Sequence, residues 1–349
     1  MNSYILAIDT SCDDSSAAVV RGNEVFSNVI ATQSHAQFGG VFPTVAKQEH
    51  LKNTQPVAIQ ALEEAGITAA DLAAVAVTQG PGLAPSLEVG IKVAKELCAE
   101  FELPLIAVNH IEGHALSPLA AAKGESSELL HGLEFPILSI VVSGGHTDFI
   151  LIEKIGLYKR LGFTVDDAAG EALDKFGRLV GLAYPAGAMI EQLAAQGNPR
   201  AYAFPIPMTL SGNFNVSFAG LKTSVKTLVE KMTATAPLTN QEILDLCASF
   251  QFAVFRAVTY KLQKIQAQYH FSKIFLGGGV ASNMTLRTMI LEATGVPLFV
   301  PYSKKLCVDN AAMIGLVAGW KLERGEVLKT VEEIEHVQRL PDLKIDQIP

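Results

Sequence analysis

The chain has 349 residues, of which 49% are hydrophobic, and it carries a formal net charge of −8 at pH 7. This length can bury two hydrophobic cores, the composition excludes a disordered chain, and the acidic balance argues against a large non-specific nucleic-acid surface on the chain alone. No apolar run is long enough to span a membrane, no basic signal segment begins the chain and the four cysteines form no C-x-x-C pair, which predicts a cytoplasmic protein without membrane contact.

The first half of the chain alternates predicted strands and helices. We predict strands at residues 4–8, 17–20, 25–30, 73–77 and 105–108, and helices at 45–65 and 86–100. The first strand ends in a polar loop, residues 9–16, and the strand at 105–108 runs directly into two histidines. A Gly/Ser/Glu stretch at 123–128 marks a predicted boundary.

The second half repeats this layout. A predicted strand at 137–142 runs into Ser143-Gly144-Gly145-His146 and returns at 149–152, which is a weak internal repeat of layout and not of residue identity. The later predicted elements are helices at 244–269 and 309–322, strands at 274–276 and 298–300, and a charged surface segment from 323 onward. Alternating strands and helices predict an α/β architecture with a mainly parallel sheet core.

His110 and His114 are the most informative pair in the sequence. Positions i and i+4 share one face of a helix, so both imidazoles can reach one metal ion. Zinc proteases use this spacing with a glutamate beside the first histidine as general base. Ile111 stands there instead, and Glu112 should point away from the histidine face. Spacing alone leaves two interpretations open, a metal site or two histidines capping a strand end and a helix start.

Two glycine loops are candidates for nucleotide binding. The glycines of Ser143-Gly144-Gly145 let backbone amides approach an anion, although an ordinary hairpin also uses them. Gly277-Gly278-Gly279 joins a predicted strand to a helix, as in many nucleotide sites, and we rank a purely structural explanation as the weaker one. Asn283 follows, either as a helix N-cap or as a partner for a ribose.

Acidic and basic side chains complete the candidates. Asp13 and Asp14 form a solvated turn or point into a cleft, and Asp309 is a helix N-cap or a third, oxygen ligand beside the histidines. Two imidazoles and one carboxylate suit iron, zinc or manganese. Candidate phosphate contacts, for which a solvated face is the default, are Lys222, Lys226, Lys304 and Lys305.

Ordered motifs over residues 8–315 resemble the TsaD family of tRNA threonylcarbamoyladenosine synthesis proteins, formerly called glycoproteases. The motifs that carry this resemblance are residues 9–14, 39–43, 80–83, 110–114, 142–147, 166–175, 184–187, 218–223, 277–283 and 309–313. The departures are mild. Asp9 and Asp14 stand where the family usually has glutamate, and Ala186 replaces a usual glycine.

The resemblance implies an actin-like, sugar-kinase-like α/β fold with two lobes around a nucleotide cleft. It implies an N-terminal lobe at 1–130, a C-terminal lobe at 131–325 and a tail at 326–349. His110, His114 and Asp309 would hold one divalent metal ion per subunit, with Fe²⁺ favoured over Zn²⁺, Mn²⁺ and Mg²⁺. The residues expected around the adenylate are Val141, Val142, Ser143, Gly144, Gly145, Asp174, Gly187, Glu191 and Asn283.

The implied activity is transfer of a threonylcarbamoyl group from threonylcarbamoyl-AMP to N6 of the adenosine at position 37, beside the anticodon, in tRNAs that read ANN codons. Asp13 and Asp14 are the catalytic candidates, and Asp13 is the first choice for orienting or deprotonating the amine. The family also implies two partners, the actin-like paralogue TsaB and the P-loop ATPase TsaE. The rival hypotheses are a zinc endopeptidase, a non-catalytic nucleotide-binding scaffold and a sugar or acetate kinase.

Overall fold

The computed structural model describes residues 3–33, 40–125 and 128–347, so Gly39 and residues 126–127 of the sequence analysis lie outside it. The strands of the first sheet are β1 Tyr4–Asp9, β2 Asp14–Arg21, β3 Glu24–Thr32, β4 Leu72–Gly80, β5 Leu105–Asn109 and β6 Ala121–Ala122. They lie in the order β5-β4-β1-β2-β3-β6. The second sheet has β7 Ile137–Val142, β8 Thr147–Lys154, β9 Leu157–Phe163, β10 Ile274–Gly277 and β11 Leu298–Phe299, in the order β11-β10-β7-β8-β9.

Both sheets are mixed, which corrects the expectation of a mainly parallel core. In the first sheet β1, β2 and β3 pair antiparallel, whereas β4 and β5 add parallel to β1. The second sheet repeats this arrangement, with β7, β8 and β9 antiparallel and β10 parallel to β7. Consecutive strands joined by short turns must pair antiparallel, and helical crossovers supply the parallel neighbours.

The helices lie close to their predicted positions wherever the apolar pattern is strong. Their bounds are α1 Pro43–Ala65, α2 Ala84–Phe101, α3 His110–Leu116, α4 Glu128–His131, α5 Ala169–Leu179, α6 Gly187–Ala194, α7 Ala219–Thr233, α8 Asn240–Gln266, α9 Met284–Thr294, α10 Ala311–Glu323 and α11 Val331–Glu335. The sequence analysis missed the strands β6 and β9 and the helices α4, α5, α6, α7 and α11. Gly170 and Gly177 inside α5 lower its helix propensity and obscure the pattern.

Helices α3 and α10 connect the two sheets. Helix α10 packs on β1, β2 and β5, whereas α3 packs on β7 and β10. One core cluster accordingly contains Ile5 and Ile106 of the first sheet together with Val141 and Phe275 of the second. The start of α3 and the loop before α10 therefore meet where the sheets face each other. The division into lobes at residue 130 stays a prediction.

Helix α8 is long and apolar enough to cross a membrane by length and composition, although the sequence analysis found no such run. However, 67% of its most apolar stretch is buried inside the protein. Phe250, Val254 and Val258 lie in the core cluster of the second sheet. This burial is typical of the core helix of a globular protein.

The C-terminal segment is not the exposed tail that its charge suggested. Leu340 N donates to Gln79 O at 2.8 Å, and Asn109 Nδ2 donates to Leu343 O at 3.3 Å. Ile345 is 2% exposed, in the core between the sheets. Widely spaced apolar residues among many charges gave no periodic signal, although they suffice to hold the segment against β4 and the start of α3.

Candidate metal and nucleotide site

The two histidines lie on a short helix that begins where β5 ends. Asn109 caps α3, because its Oδ1 accepts hydrogen bonds from Ile111 N at 2.8 Å and Glu112 N at 3.2 Å. His110 and His114 follow one turn apart, and both are buried. Glu112 points away from them, as expected, and its Oε1 accepts from the Tyr158 hydroxyl at 2.7 Å.

Asp309 reaches the histidines from the loop before α10. Its Oδ1 lies 3.0 Å from His114 Nε2 and 3.5 Å from His110 Nε2. Asn310, and not Asp309, caps α10 by accepting from Met313 N at 3.3 Å. The Asp309 carboxylate is therefore not used as a cap, and one ligand atom from each of the three residues lies within 4.8 Å of the others.

The electrostatics of this cluster favour an ionised carboxylate. Burial opposes ionisation of Asp309, but His110 and His114 hold its pKa well below the usual value. Burial likewise opposes charge on His110, yet Asp9 and Asp309 raise its pKa to about 10. Burial lowers the pKa of His114, and the neighbouring His110 lowers it further. The cluster thus supplies an ionised carboxylate and, in His114, a neutral imidazole, which are the forms that bind metals, whereas His110 is protonated and has to release its proton to a metal ion.

Asp9 supports His110 from the side opposite Asp309. Its Oδ2 lies 3.4 Å from His110 Nδ1, and both side chains are buried. Ser11 N donates to the other oxygen of Asp9 at 3.2 Å. In metalloproteins a carboxylate behind a ligating histidine fixes the ring orientation and tautomer. The sequence analysis named Asp9 only within a motif. The available signal was its position directly after a predicted strand, close to the position that His110 has relative to the strand at 105–108.

His146 is a further residue that the sequence analysis did not assign. Its ring centroid lies 6.2 Å from that of His110. Burial, together with His110 and His114, lowers its pKa to about 3, so the ring is neutral at pH 7. It stands at the end of the Ser143 loop and therefore connects the histidine cluster with the predicted nucleotide side.

Beside this cluster Asp13 ends the polar loop after β1 and Asp14 begins β2, so the loop is shorter than the predicted 9–16. Burial, and secondly the charge of Asp13, raise the pKa of Asp14 to about 7. Asp14 Oδ1 is buried without a hydrogen-bond partner in the described part of the chain. Burial and Asp13 also raise the pKa of Cys12 well above its usual value, so this thiol stays protonated and is no nucleophile.

Helix α1 holds this loop through one buried side chain. His50 Nε2 lies 3.0 Å from Cys12 O, and His50 Nδ1 lies 2.7 Å from Ser15 Oγ. A carbonyl oxygen only accepts, so Nε2 carries the proton and Nδ1 accepts from the serine. The backbone on both sides of Asp13 and Asp14 is thereby fixed to α1.

The Ser143 loop has a defined internal structure. Ser143 Oγ accepts from Gly145 N at 3.3 Å and from His146 N at 3.1 Å. Open space lies above the Cα atoms of Gly144 and Gly145, so a ligand can approach their backbone closely. Val141 and Val142 are fully buried. They therefore support the loop from the core and offer no exposed atom to a ligand.

The second glycine loop has a packing function that we ranked too low. A Cβ at Gly277 would lie 2.1 Å from His114 O, and one at Gly278 would lie 2.3 Å from Val142 O. Gly278 also has a φ of +89°, which favours glycine. These two glycines let α3 and β7 approach β10, whereas a Cβ at Gly279 would make only an ordinary contact with Val308 Cγ1 at 3.8 Å.

The remaining predicted nucleotide residues lie together in the second lobe. Asn283 caps α9 by accepting from Thr285 N at 3.0 Å and donates to Gln251 Oε1 at 2.9 Å. Glu191 Oε1 accepts from Met284 N at 2.7 Å, which places it beside Asn283. Asp174 Oδ1 accepts from Ala186 N at 2.7 Å, next to Gly187. Each of these side chains already has a structural partner.

Two of the four lysines predicted as candidate phosphate contacts are neutralised by carboxylates. Lys222 pairs with Asp167 at 3.0 Å, and Lys226 lies 3.7 Å from Glu230. Lys304 and Lys305 are exposed on a short turn. Among these four lysines, only Lys304 and Lys305 make no ion pair within the described residues, so only they keep the free charge that a phosphate contact needs.

Comparison with known proteins identifies relatives over almost the whole chain. The family model described as "TsaD: tRNA N6-adenosine threonylcarbamoyltransferase" matches residues 24–316. The protein of this description from Geotalea uraniireducens is 44% identical over 324 residues, 91% of each chain. That from Geobacter sp. strain M21 is 45% identical over 327 residues, 92% of each chain.

Solved structures match at much lower identity. Component A of (R)-2-hydroxyglutaryl-CoA dehydratase from Acidaminococcus fermentans is 15% identical, with a TM-score of 0.55 over 92% of this chain and 100% of that one. A ROK family protein from Streptococcus pneumoniae is 14% identical, with a TM-score of 0.53 over 93% and 99%. These similarities show the fold, which is the actin-like, sugar-kinase-like α/β fold that the sequence resemblance implied.

Proposed function

The chain belongs to the TsaD family of tRNA N6-adenosine threonylcarbamoyltransferases, and we propose that threonylcarbamoyl-AMP is its donor and adenosine 37 of ANN-reading tRNAs its acceptor. The family match over most of the chain, with the His110, His114 and Asp309 cluster intact, is the observation that carries this proposal. In the reaction, N6 of the adenosine attacks the carbonyl carbon of the mixed anhydride. A C–N bond forms, the C–O bond to phosphate breaks, AMP leaves with the electron pair, and N6 loses a proton.

We further propose that His110, His114 and Asp309 hold a divalent metal ion. Ligand atoms around a tetrahedral ion with bonds of ~2.0–2.1 Å lie about 3.3 Å apart. The separations of 3.0 and 3.5 Å from Asp309 Oδ1 to the two Nε2 atoms bracket that value. A bound metal would supply Lewis-acid polarisation of the donor. Two imidazoles and one carboxylate leave further coordination positions open, consistent with Fe²⁺, Zn²⁺ or Mn²⁺.

The proton of N6 needs an acceptor, and Asp14 is suited to this role. A general base works best when its pKa lies near the working pH, and burial raises the pKa of Asp14 to about 7. Its buried Oδ1 has no partner in the described residues. Asp13 would then orient the amine. This assignment differs from the sequence analysis, in which Asp13 was the first choice for orienting or deprotonating the amine. Because an aromatic amine is a weak nucleophile, positioning supplies much of the rate.

The adenylate is proposed to lie between the two glycine loops. The open space above Gly144 and Gly145 supports a phosphate there. Asp174, Glu191 and Asn283 would border the ribose and adenine through the polar atoms that their structural hydrogen bonds leave free.

tRNA is the substrate of the family, and we propose that TsaB and TsaE assist this chain. Helix α1 is the proposed contact with the actin-like paralogue. Val57 is 5% exposed and belongs to the core, but Leu51 and Ile59 are 50% and 52% exposed. Exposed apolar side chains two turns apart on one helix support an interface. A cytoplasmic location also remains a proposal.

Reconstitution tests the proposed function. The purified chain is incubated with tRNA, threonylcarbamoyl-AMP, Fe²⁺ or Zn²⁺ and the two partners, and the nucleosides are analysed by mass spectrometry. We expect threonylcarbamoyladenosine and AMP in equal amounts. Absence of the modified nucleoside with the donor intact would contradict the choice of donor, and modification elsewhere in the tRNA would contradict the choice of acceptor.

A further inference from the structure

We infer that a cleft between α8 and residues 199–206 binds an unpaired nucleotide of the tRNA other than the adenosine that is modified. The inference rests on tRNA being the substrate of this family, and it concerns residues outside the site described above. The cleft holds ≈ 200 Å³. It is lined by Pro199, Arg200, Tyr202, Phe204, Phe252 and Arg256, among others.

One face of α8 forms the floor of the cleft. Ser249, Phe252, Ala253 and Arg256 follow the i, i+3, i+4, i+7 spacing of a single helix face. The neighbouring residue Gln251 points elsewhere and hydrogen bonds to Asn283. The cleft therefore lies about one helix diameter, ~10 Å, from the proposed adenine side, so it contacts a different nucleotide.

The opposite wall is held firmly in place. Ser249 Oγ donates to Asn198 O at 3.1 Å and accepts from Tyr202 N at the same distance. A Cβ at Gly197 would lie 2.1 Å from Leu244 O, so only glycine lets the wall lie this close to α8. The cleft is thus formed before a ligand arrives, which lowers the entropy lost on binding.

Two of its side chains are arginines without partners. Of the eight arginines, all in the described ranges, four pair with carboxylates and Arg287 donates to a backbone carbonyl. The guanidinium groups of Arg178, Arg200 and Arg256 make no hydrogen bond or ion pair within those ranges. Two of these three line this one cleft. Unpaired guanidinium groups on a chain of net charge −8 indicate an anionic ligand.

The combination of side chains favours single-stranded RNA. Unpaired bases stack on aromatic rings and guanidinium planes, while arginines contact the phosphates. The volume lies below the roughly 300–1,000 Å³ of sites that enclose a whole small molecule. The cleft therefore suits one base of a larger molecule that is anchored elsewhere, and not a free nucleotide bound on its own.

The test compares two double variants of the full-length chain in tRNA binding, without donor or metal. Arg200→Ala/Arg256→Ala should lower the affinity about tenfold and reduce the slope of log K against log salt by about 1–2. The matched control, Lys154→Ala/Lys231→Ala, removes the same charge from two exposed lysines outside the cleft and should leave the affinity within about twofold. If the two double variants bound tRNA with equal affinity, whether weakened or unchanged, the inference would be overturned.

Two further measurements separate the alternatives. Phe252→Leu keeps an apolar side chain and should weaken tRNA binding about fivefold or more without changing the salt slope. Ultraviolet cross-linking of the wild-type chain should place nucleotide adducts on Tyr202, Phe204 or Phe252. Adducts confined to other surfaces would overturn the inference. So would a loss of AMP affinity in the arginine variant, which would make a free nucleotide the ligand. A wild-type chain that binds tRNA through the cleft yet transfers nothing would contradict only the proposed function.

Discussion

The two sides of the proposed site differ in how far their polar side chains are satisfied. Around α3 and the loop after β1, the buried atoms that lack partners in the described residues include Ser11 Oγ, Asp14 Oδ1 and His114 Nδ1. On the second-lobe side, Asp174, Glu191 and Asn283 each make a structural hydrogen bond. Unsatisfied buried polar atoms are destabilising unless a ligand or a reaction uses them. The first side is therefore arranged for chemistry, and the second for holding a nucleotide on a rigid frame.

Removing a metal ligand should have the largest effect. We expect His110→Ala or Asp309→Ala to lose the bound metal and to lower transfer activity more than 100-fold, because loss of outer-shell partners alone costs 10–100-fold. The variants should still unfold in one cooperative transition, but at a midpoint below that of the wild type, because each removal leaves a buried polar partner uncompensated. Elemental analysis and calorimetry check both points. Full metal occupancy in the two variants would show that the first side is not a metal site.

Substitution of Asp9 tests the histidine cluster more specifically, because Asp9 is not itself a proposed metal ligand. Asp9→Asn keeps the size of the side chain but removes the charge 3.4 Å from His110 Nδ1, so metal affinity should fall about 10–100-fold. Asp9→Glu, which restores the usual residue of the family, should recover most of it. A competition titration with a metal indicator measures the affinity without any turnover. If the asparagine variant bound metal as tightly as the wild type, Asp9 would not orient His110.

The pH dependence tests Asp14. If the ionised carboxylate accepts the N6 proton, transfer should fall about tenfold per pH unit below pH 7 and level off above it, and Asp14→Asn should lose this limb. The raised pKa also acts on folding. Between about pH 4 and pH 7 the folded chain holds a proton that the unfolded chain has released, so this contribution to stability falls as pH rises through the window. Asp14→Asn should remove that slope in chemical denaturation series. An unchanged pH–rate profile in the variant would exclude Asp14 as the base.

The sequence predicted those features that depend on residues close together in the chain. The i, i+4 spacing predicted one face for His110 and His114, and Gly66 predicted the end of α1. It could not give contacts set by the chain path. Asp9 meets His110 only because β1 lies beside β4 and β4 beside β5. Likewise, the packing function of Gly277 depends on His114 of α3, which lies 163 residues earlier in the sequence. Ile345 is buried in the core between two sheets that its own segment does not predict.

The smallest effects are expected on the second side, where the two proposed contacts should fail in different ways. Gly145→Val places a branched side chain in the open space above the loop, so AMP affinity should fall at least tenfold with little change in stability. Asn283→Ala removes the cap of α9 and the bond to Gln251, so it should lower the free energy of unfolding by about 1 kcal/mol. Its AMP affinity should fall less than that of Gly145→Val. Asn283→Ser, which can still cap the helix, should regain most of the stability but not the AMP affinity. Calorimetry with AMP and denaturant titration separate these outcomes. If Asn283→Ala changed stability and left AMP affinity unchanged, Asn283 would have a structural role only. The nucleotide would then be held by the backbone of the Ser143 loop.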